Sequence, residues 1–187
     1  MPEALDYTFK ECLDHGIAVS NLGFYIAKEM KLDEDMCYEI AIAGLVHDVG
    51  KLLLSSYLYG DETDIFKIEE IKYFRMHSKM SYDILQYYDF SYFVLESVLY
   101  HHENYDGSGY PENLHGEEIP LGARILRVAD VFSALISNRI YRDAFDADIA
   151  VELMIDEVKN FDMEVFLAFQ RVVHEIDMNK FLNNRIF

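Results

Sequence analysis

Apolar residues return every three or four positions along most of this chain, and the strict alternation of a half-buried strand is scarce. That periodicity commits the chain to helices packed through apolar stripes. Residues 4–30 read as one long amphipathic helix, softened near Gly16 and Gly23. "DEDMCYEIAIAGLVHDV" (33–49) opens with N-capping acids and stops at Gly50. Further helices are expected over 64–87, about 90–103, from Pro120 as a first-turn residue, 146–159 and 162–181. Between them, 104–119 is a polar loop holding three of the nine glycines, and long loops inside compact domains tend to carry function. The expectation is an all-α fold of about seven helices in one domain, 1–187.

Composition narrows the function classes. A chain of 187 residues buries roughly two-thirds or more of its unfolded surface and folds without staples. The formal charge of −18 disfavours DNA, RNA and anionic membranes as broad-surface partners. A small phosphate-bearing ligand remains open, because bound metal ions dominate the local field at such a site. Cys12 and Cys37 lie 25 positions apart with no CxxC, which reads as reduced core thiols. The N-terminus has early acids and no apolar signal core, and no apolar run is long enough to span a bilayer. A soluble, cytoplasmic protein is expected.

The chemistry concentrates in "YHHENYDGSGYP" (100–111) and "AIAGLVHDVGK" (41–51). Neighbouring helical residues diverge by about 100°, so His47-Asp48 does not chelate one ion from one face. The pair suits two ions side by side, with the carboxylate bridging. His101-His102 admits the same solution. Glu11 and His15 stand at i and i+4 and share a face. Asp130, in "LRVADVFSAL", is an acid inside an apolar helical stretch, costly to bury unless paired or metal-bound. Imidazole with carboxylate suits iron, manganese, zinc or nickel, and without a Cys set the structural-zinc reading falls away. Two ions about 3.5–4 Å apart clamp both oxygens of an in-line displacement at phosphorus.

At this point the residues resemble a known family. "HDVGK" (47–51), "HHENYDGSGYP" (101–111), and "RILRVADVFSAL" followed by "RIYR" (139–142) are similar to the HD-GYP domain, a subgroup of the HD metal-dependent phosphohydrolases. The resemblance runs from about residue 11 to residue 145, leaving 146–187 as packing helices. It implies a helical HD-type domain that hydrolyses cyclic dinucleotides, chiefly cyclic di-GMP, at a centre of two or three divalent ions, iron or manganese. By that resemblance His15, His47, Asp48 and Asp130 hold one ion, with Asp48 bridging to the next. His77, His101 and His102 hold the second, and Glu11 contributes to a third. Lys51 approaches a substrate phosphate or the attacking water, making Asp48 and Lys51 the catalytic residues. Arg139 and Arg142 bind phosphodiester and guanine, Tyr110 either stacks on a base or packs as a buried side chain, and Asp106 orients the loop by Asx-type hydrogen bonds. Gly107 and Gly109 supply positive φ or close approach, and Pro111 stiffens the exit.

Helix geometry constrains the arginines. On one straight helix Arg139 would stand about 180° from Asp130, so the helix must end or bend near Ser137-Asn138. Two positions depart from the family pattern. His77 is followed by "SKMS" where Pro and Gly are usual, and Ser133 stands where an acid is frequent. His115 and His174 receive no role. The rival readings are a catalytically weak cyclic-dinucleotide receptor or adaptor, and a phosphohydrolase acting on another nucleotide. A homodimer or a separate regulatory protein is admitted as partner.

Overall fold

The computed structural model describes residues 9–52, 75–138 and 143–175. Within them lie α1 (Phe9–Glu29), α2 (Glu34–Val46), α3 (His77–Leu85), α4 (Tyr92–Tyr100), α5 (Leu121–Leu135), α6 (Ala147–Asp156) and α7 (Met163–Glu175). Short 3-10 turns occupy Gly116–Glu118 and Val158–Asn160, and no strand occurs among the described residues. The all-α expectation holds. Helix α1 packs against α2, α5 and α7, and α4 packs against α2, α3 and α5. The core joins Val19, Leu22 and Ile26 of α1 to Ile40 of α2, Val98 of α4, Phe132 of α5 and Phe169 of α7. Phe132 and Phe169 meet edge to face at 4.9 Å. Burying one such side chain contributes about 1.5–3 kcal/mol. Cys12 and Cys37 are buried free thiols.

Local signals explain most of the boundaries. Asp33 caps α2 by accepting from the Met36 amide at 2.9 Å. Ser91 caps α4, its hydroxyl accepting from the Val94 amide at 3.1 Å. Pro120 stands at the N-cap of α5.

Two expectations need correction. Helix α1 runs unbroken through Gly16 and Gly23. Gly16 is a crossing point, since a Cβ there would lie 2.5 Å from the Leu45 carbonyl oxygen of α2. Helix α2 ends at Val46 rather than at Gly50, and the chain is helical again at 49–52. Gly50 stops nothing; a Cβ there would lie 2.4 Å from the His77 carbonyl, so α3 can approach only glycine. The expected end of the helix near Ser137-Asn138 is met, since α5 stops at Leu135 with Ile136 as its C-cap. Asn138 acts through its side chain, accepting from the Ala144 amide at 2.9 Å. The "RIYR" positions, including Arg139 and Arg142, lie outside the described residues, as do 4–8, 64–74 and 176–181 of the expected helices.

Candidate metal centre

Two histidines owe their aim to the helix each one follows. His47 is the residue after α2, and its Nδ1 pairs with the Gly44 carbonyl at 2.7 Å. His101 is the residue after α4, and its Nδ1 pairs with the Val98 carbonyl at 2.6 Å. In each case Nδ1 is the donor. That bond fixes the ring's orientation and turns Nε2 inward, toward the cluster. His77 opens α3, His15 comes from the middle of α1, and Asp130 comes from α5.

These side chains converge. Three trios have ligand atoms mutually within 4.8 Å: His15, His47 and Asp48; His77, His101 and His102; and His47, His101 and Asp130. Asp48 faces two ways. Its Oδ2 lies 3.3 Å from His47 Nε2 and 3.8 Å from His15 Nε2, while Oδ1 lies 3.3 Å from His77 Nε2. Asp130 Oδ1 pairs with His15 Nε2 at 2.9 Å and lies 3.7 Å from His47 Nε2. His102 Nε2 and His77 Nε2 stand 3.0 Å apart. Both adjacent pairs instead fall within a single trio, His47 with Asp48 and His101 with His102, because each pair lies past the end of its helix, where the helical divergence of about 100° no longer holds.

Burial is nearly complete at His47, Asp48, His77 and His101. Burial raises a carboxyl, yet His47 and Lys51 hold Asp48 well below the usual carboxylate range. His15 and His47 do the same for Asp130. Burial pulls His47 down, but Asp48 and Asp130 overcome it and lift the ring to about 10. His101 and His102 go the other way, well below the ordinary imidazole value through burial and neighbouring rings. Two ionised carboxylates thus sit among imidazoles with little water to solvate them. Among the described residues, His47 Nε2, His101 Nε2 and Asp48 Oδ1 are buried without a hydrogen-bond partner. Such orphans are expensive unless something fills the space among them. Nitrogen and oxygen donors in this mix fit divalent transition-metal ions.

The remaining predicted residues fall around this cluster. Lys51 Nζ meets Asp48 Oδ2 at 2.5 Å. Glu11 is exposed and belongs to none of the three trios. Tyr110 stacks on His102, ring centroids 4.8 Å apart, so that face of the phenol is already covered. Gly107 has φ +82°, and a Cβ on Gly109 would fall 2.2 Å from the Asn104 amide nitrogen. The Tyr110–Pro111 peptide is cis. Asp106 forms the Asx turn, accepting from the Ser108 amide at 3.0 Å. His115 caps the 3-10 turn that begins at Gly116, and His174 lies in the last turn of α7. Of the "SKMS" departure, Ser78 is buried with no partner for its hydroxyl among the described residues, while Ser81 Oγ accepts from the Gly50 amide at 2.9 Å.

Sequence reading passed over Glu103. It is buried, and its Oε1 accepts from the Glu112 amide at 2.6 Å, anchoring the glycine-rich loop beside His102. The signal was present: an acid directly after the His pair, at the end of an apolar helix. Arg75 and Arg127 were passed over too, because only the fold brings them beside Tyr110.

Comparison with known proteins agrees with this geometry. A family model described as HD domain matches residues 3–165. A cyclic di-GMP phosphodiesterase of Pseudomonas aeruginosa is 34% identical over 175 residues, 90% of this chain and 40% of that protein. The 3′3′-cGAMP-specific phosphodiesterase 1 of Vibrio cholerae is 34% identical over 170 residues, 89% of this chain and 39% of that protein. The chain thus spans about two-fifths of the length of these relatives. Among solved structures, a cyclic GMP-AMP specific phosphodiesterase of Vibrio cholerae superposes with a TM-score of 0.70 at 19% identity, covering 93% of this chain and 49% of that one. No helix among the described residues is long and apolar enough to cross a membrane. Ligand trios, fold and family model converge: this chain belongs to the HD domain family and carries the HD-GYP signature.

Proposed function

We propose that the chain is a metal-dependent phosphodiesterase that opens a cyclic dinucleotide, cyclic di-GMP first, to the linear dinucleotide and on to GMP. The observation that carries this reading is the two-way carboxylate of Asp48, with one oxygen toward the His15–His47 trio and the other toward His77. Residue roles follow from it. His15, His47, Asp48 and Asp130 hold one ion, His77, His101 and His102 the second, and Glu11 contributes to a third. Iron or manganese is the occupant. Bound there, divalent ions supply Lewis acidity toward the phosphoryl oxygen and make water a nucleophile at neutral pH.

The protein's own groups do the rest. The carbonyls of Gly44 and Val98 hold His47 and His101 in one orientation. The buried walls exclude bulk water and so strengthen every charge interaction inside. Lys51, on the Asp48 carboxylate and partly exposed, offsets charge growing on the phosphoryl oxygens. Tyr110 and the loop held by Glu103 form one wall of the cleft, and Arg139 and Arg142 bind the phosphodiester and guanine. The whole chain acts as one domain in the cytoplasm.

The test is turnover. Protein reconstituted with Fe(II) or Mn(II) is expected to convert cyclic di-GMP to the linear product, and a metal-replete preparation that leaves it intact rejects the reading. His77→Ala separates an enzyme from a receptor. Hydrolysis falls by more than about 100-fold, beyond the usual cost of losing a group that merely supports a ligand. A receptor instead keeps its nucleotide binding with no turnover to lose. The Vibrio cholerae relative named for 3′3′-cGAMP favours one second reading, hydrolysis of a mixed cyclic dinucleotide. Relative kcat/KM on the two nucleotides decides between them.

A further inference from the structure

Acids outnumber Lys and Arg by 34 to 16 in this chain. Cations accordingly find partners: Lys51 with Asp48, Arg124 with Asp162, Arg171 with Glu29. Two guanidinium groups beside the metal centre do not. Arg75, exposed and two residues before His77, lies over the Tyr110 ring, 5.4 Å from its centroid. Arg127, partly buried and one turn before Asp130, engages the Asn104 side-chain oxygen through Nε at 2.9 Å. Its guanidinium also lies within electrostatic reach of Tyr110 and Asp130. Neither arginine forms an ion pair among the described residues, and no hydrogen bond among them engages the Arg127 Nη nitrogens.

A half-buried guanidinium held by one neutral amide, in so acidic a protein, is poised for an anion. Its planar fork matches two phosphate oxygens at once. A cyclic dinucleotide carries two phosphates, and only the one being cleaved can occupy the ions. The other meets a strongly negative protein and needs a local counter-charge. We infer that Arg127 and Arg75, arranged about Tyr110, hold the second, non-scissile phosphate of the cyclic dinucleotide. This rests on the phosphodiesterase reading above. It makes the site selective for a ligand with two phosphates over a simple diester.

The experiment compares cyclic di-GMP with bis(p-nitrophenyl) phosphate, which carries one phosphate, in metal-loaded wild type, Arg127→Gln and Arg75→Gln. For each variant KM for cyclic di-GMP is expected to rise about tenfold with kcat held within about twofold, the scale of one lost charge-assisted hydrogen bond. The ratio of kcat/KM on the cyclic substrate to that on the diester then falls about tenfold. Equal losses on both substrates, or no change in KM, overturn the inference while leaving the phosphodiesterase reading intact. If Arg127→Gln fails to fold or to retain metal, exposed Arg75 decides alone, its unchanged ratio being the overturning result. Wild type that turns over neither substrate removes the underlying reading, and this inference with it.

Discussion

At neutral pH the metal-free protein keeps a proton on His47, because Asp48 and Asp130 outweigh the burial that opposes it and lift the ring to about 10. The folded value stands above that of a free imidazole, near 6.5. The stabilisation is therefore fully present below about pH 6.5 and is lost as pH rises through about 10. A cation entering the cluster must displace that proton. Metal affinity is thus expected to climb between pH 7 and 10, with about one proton released per cluster filled near pH 7. Calorimetric titration in two buffers of different ionisation heat measures this directly, and heats that agree in both buffers contradict it. Asp48 and Asp130 work in the opposite direction: their contribution is present above about pH 4 and fades on acidification below it.

Elements matter through the places where one backbone must nearly touch another. Gly50 donates its amide to Ser81 and leaves α3 room to place His77 in the cluster. Gly50→Ala is expected to destabilise the protein by about 1–3 kcal/mol, the usual cost of overpacking, and to lower bound metal by moving His77. Urea unfolding and elemental analysis test both halves; wild-type stability with full metal content would show that α3 yields freely. This position also marks what could be read from the chain and what could not. His47, Asp48, His101, His102 and Asp130 stood out because a metal ligand set is chemically rare at such spacings. Helix existence was legible from apolar periodicity, and the cap at Asp33 from its residue type. Gly50 misled because a glycine after an apolar run normally ends a helix, whereas here the need arises from a helix that begins 27 positions later, at His77. Arg75 and Arg127 stayed hidden for the same reason. Their partners at Tyr110 and Asn104 come from elsewhere in the chain, and spacing carries no sign of them.

At the scale of the whole molecule, the cluster ties together α1, α2, α3, α4 and α5, so an ion bound there is also a fastener of the fold. Bound at a hundred times its Kd, an ion adds about 2.7 kcal/mol. Chelation is expected to lower Tm by about 5–10 °C, at 2–4 °C per kcal/mol for a chain of this size, with recovery on adding Mn(II) back. Scanning calorimetry with and without chelator measures it, and coincident transitions would place the donors outside the folding unit. One arrangement reaches further. His47 and His101 each follow their helix directly, are pinned to a carbonyl three residues back, and meet with ring centroids 4.9 Å apart. Each imidazole thus travels with its helix like a hand on a lever, with no slack loop to absorb the motion. Any push that slides α2 along α4 is transmitted straight to the gap between these two rings.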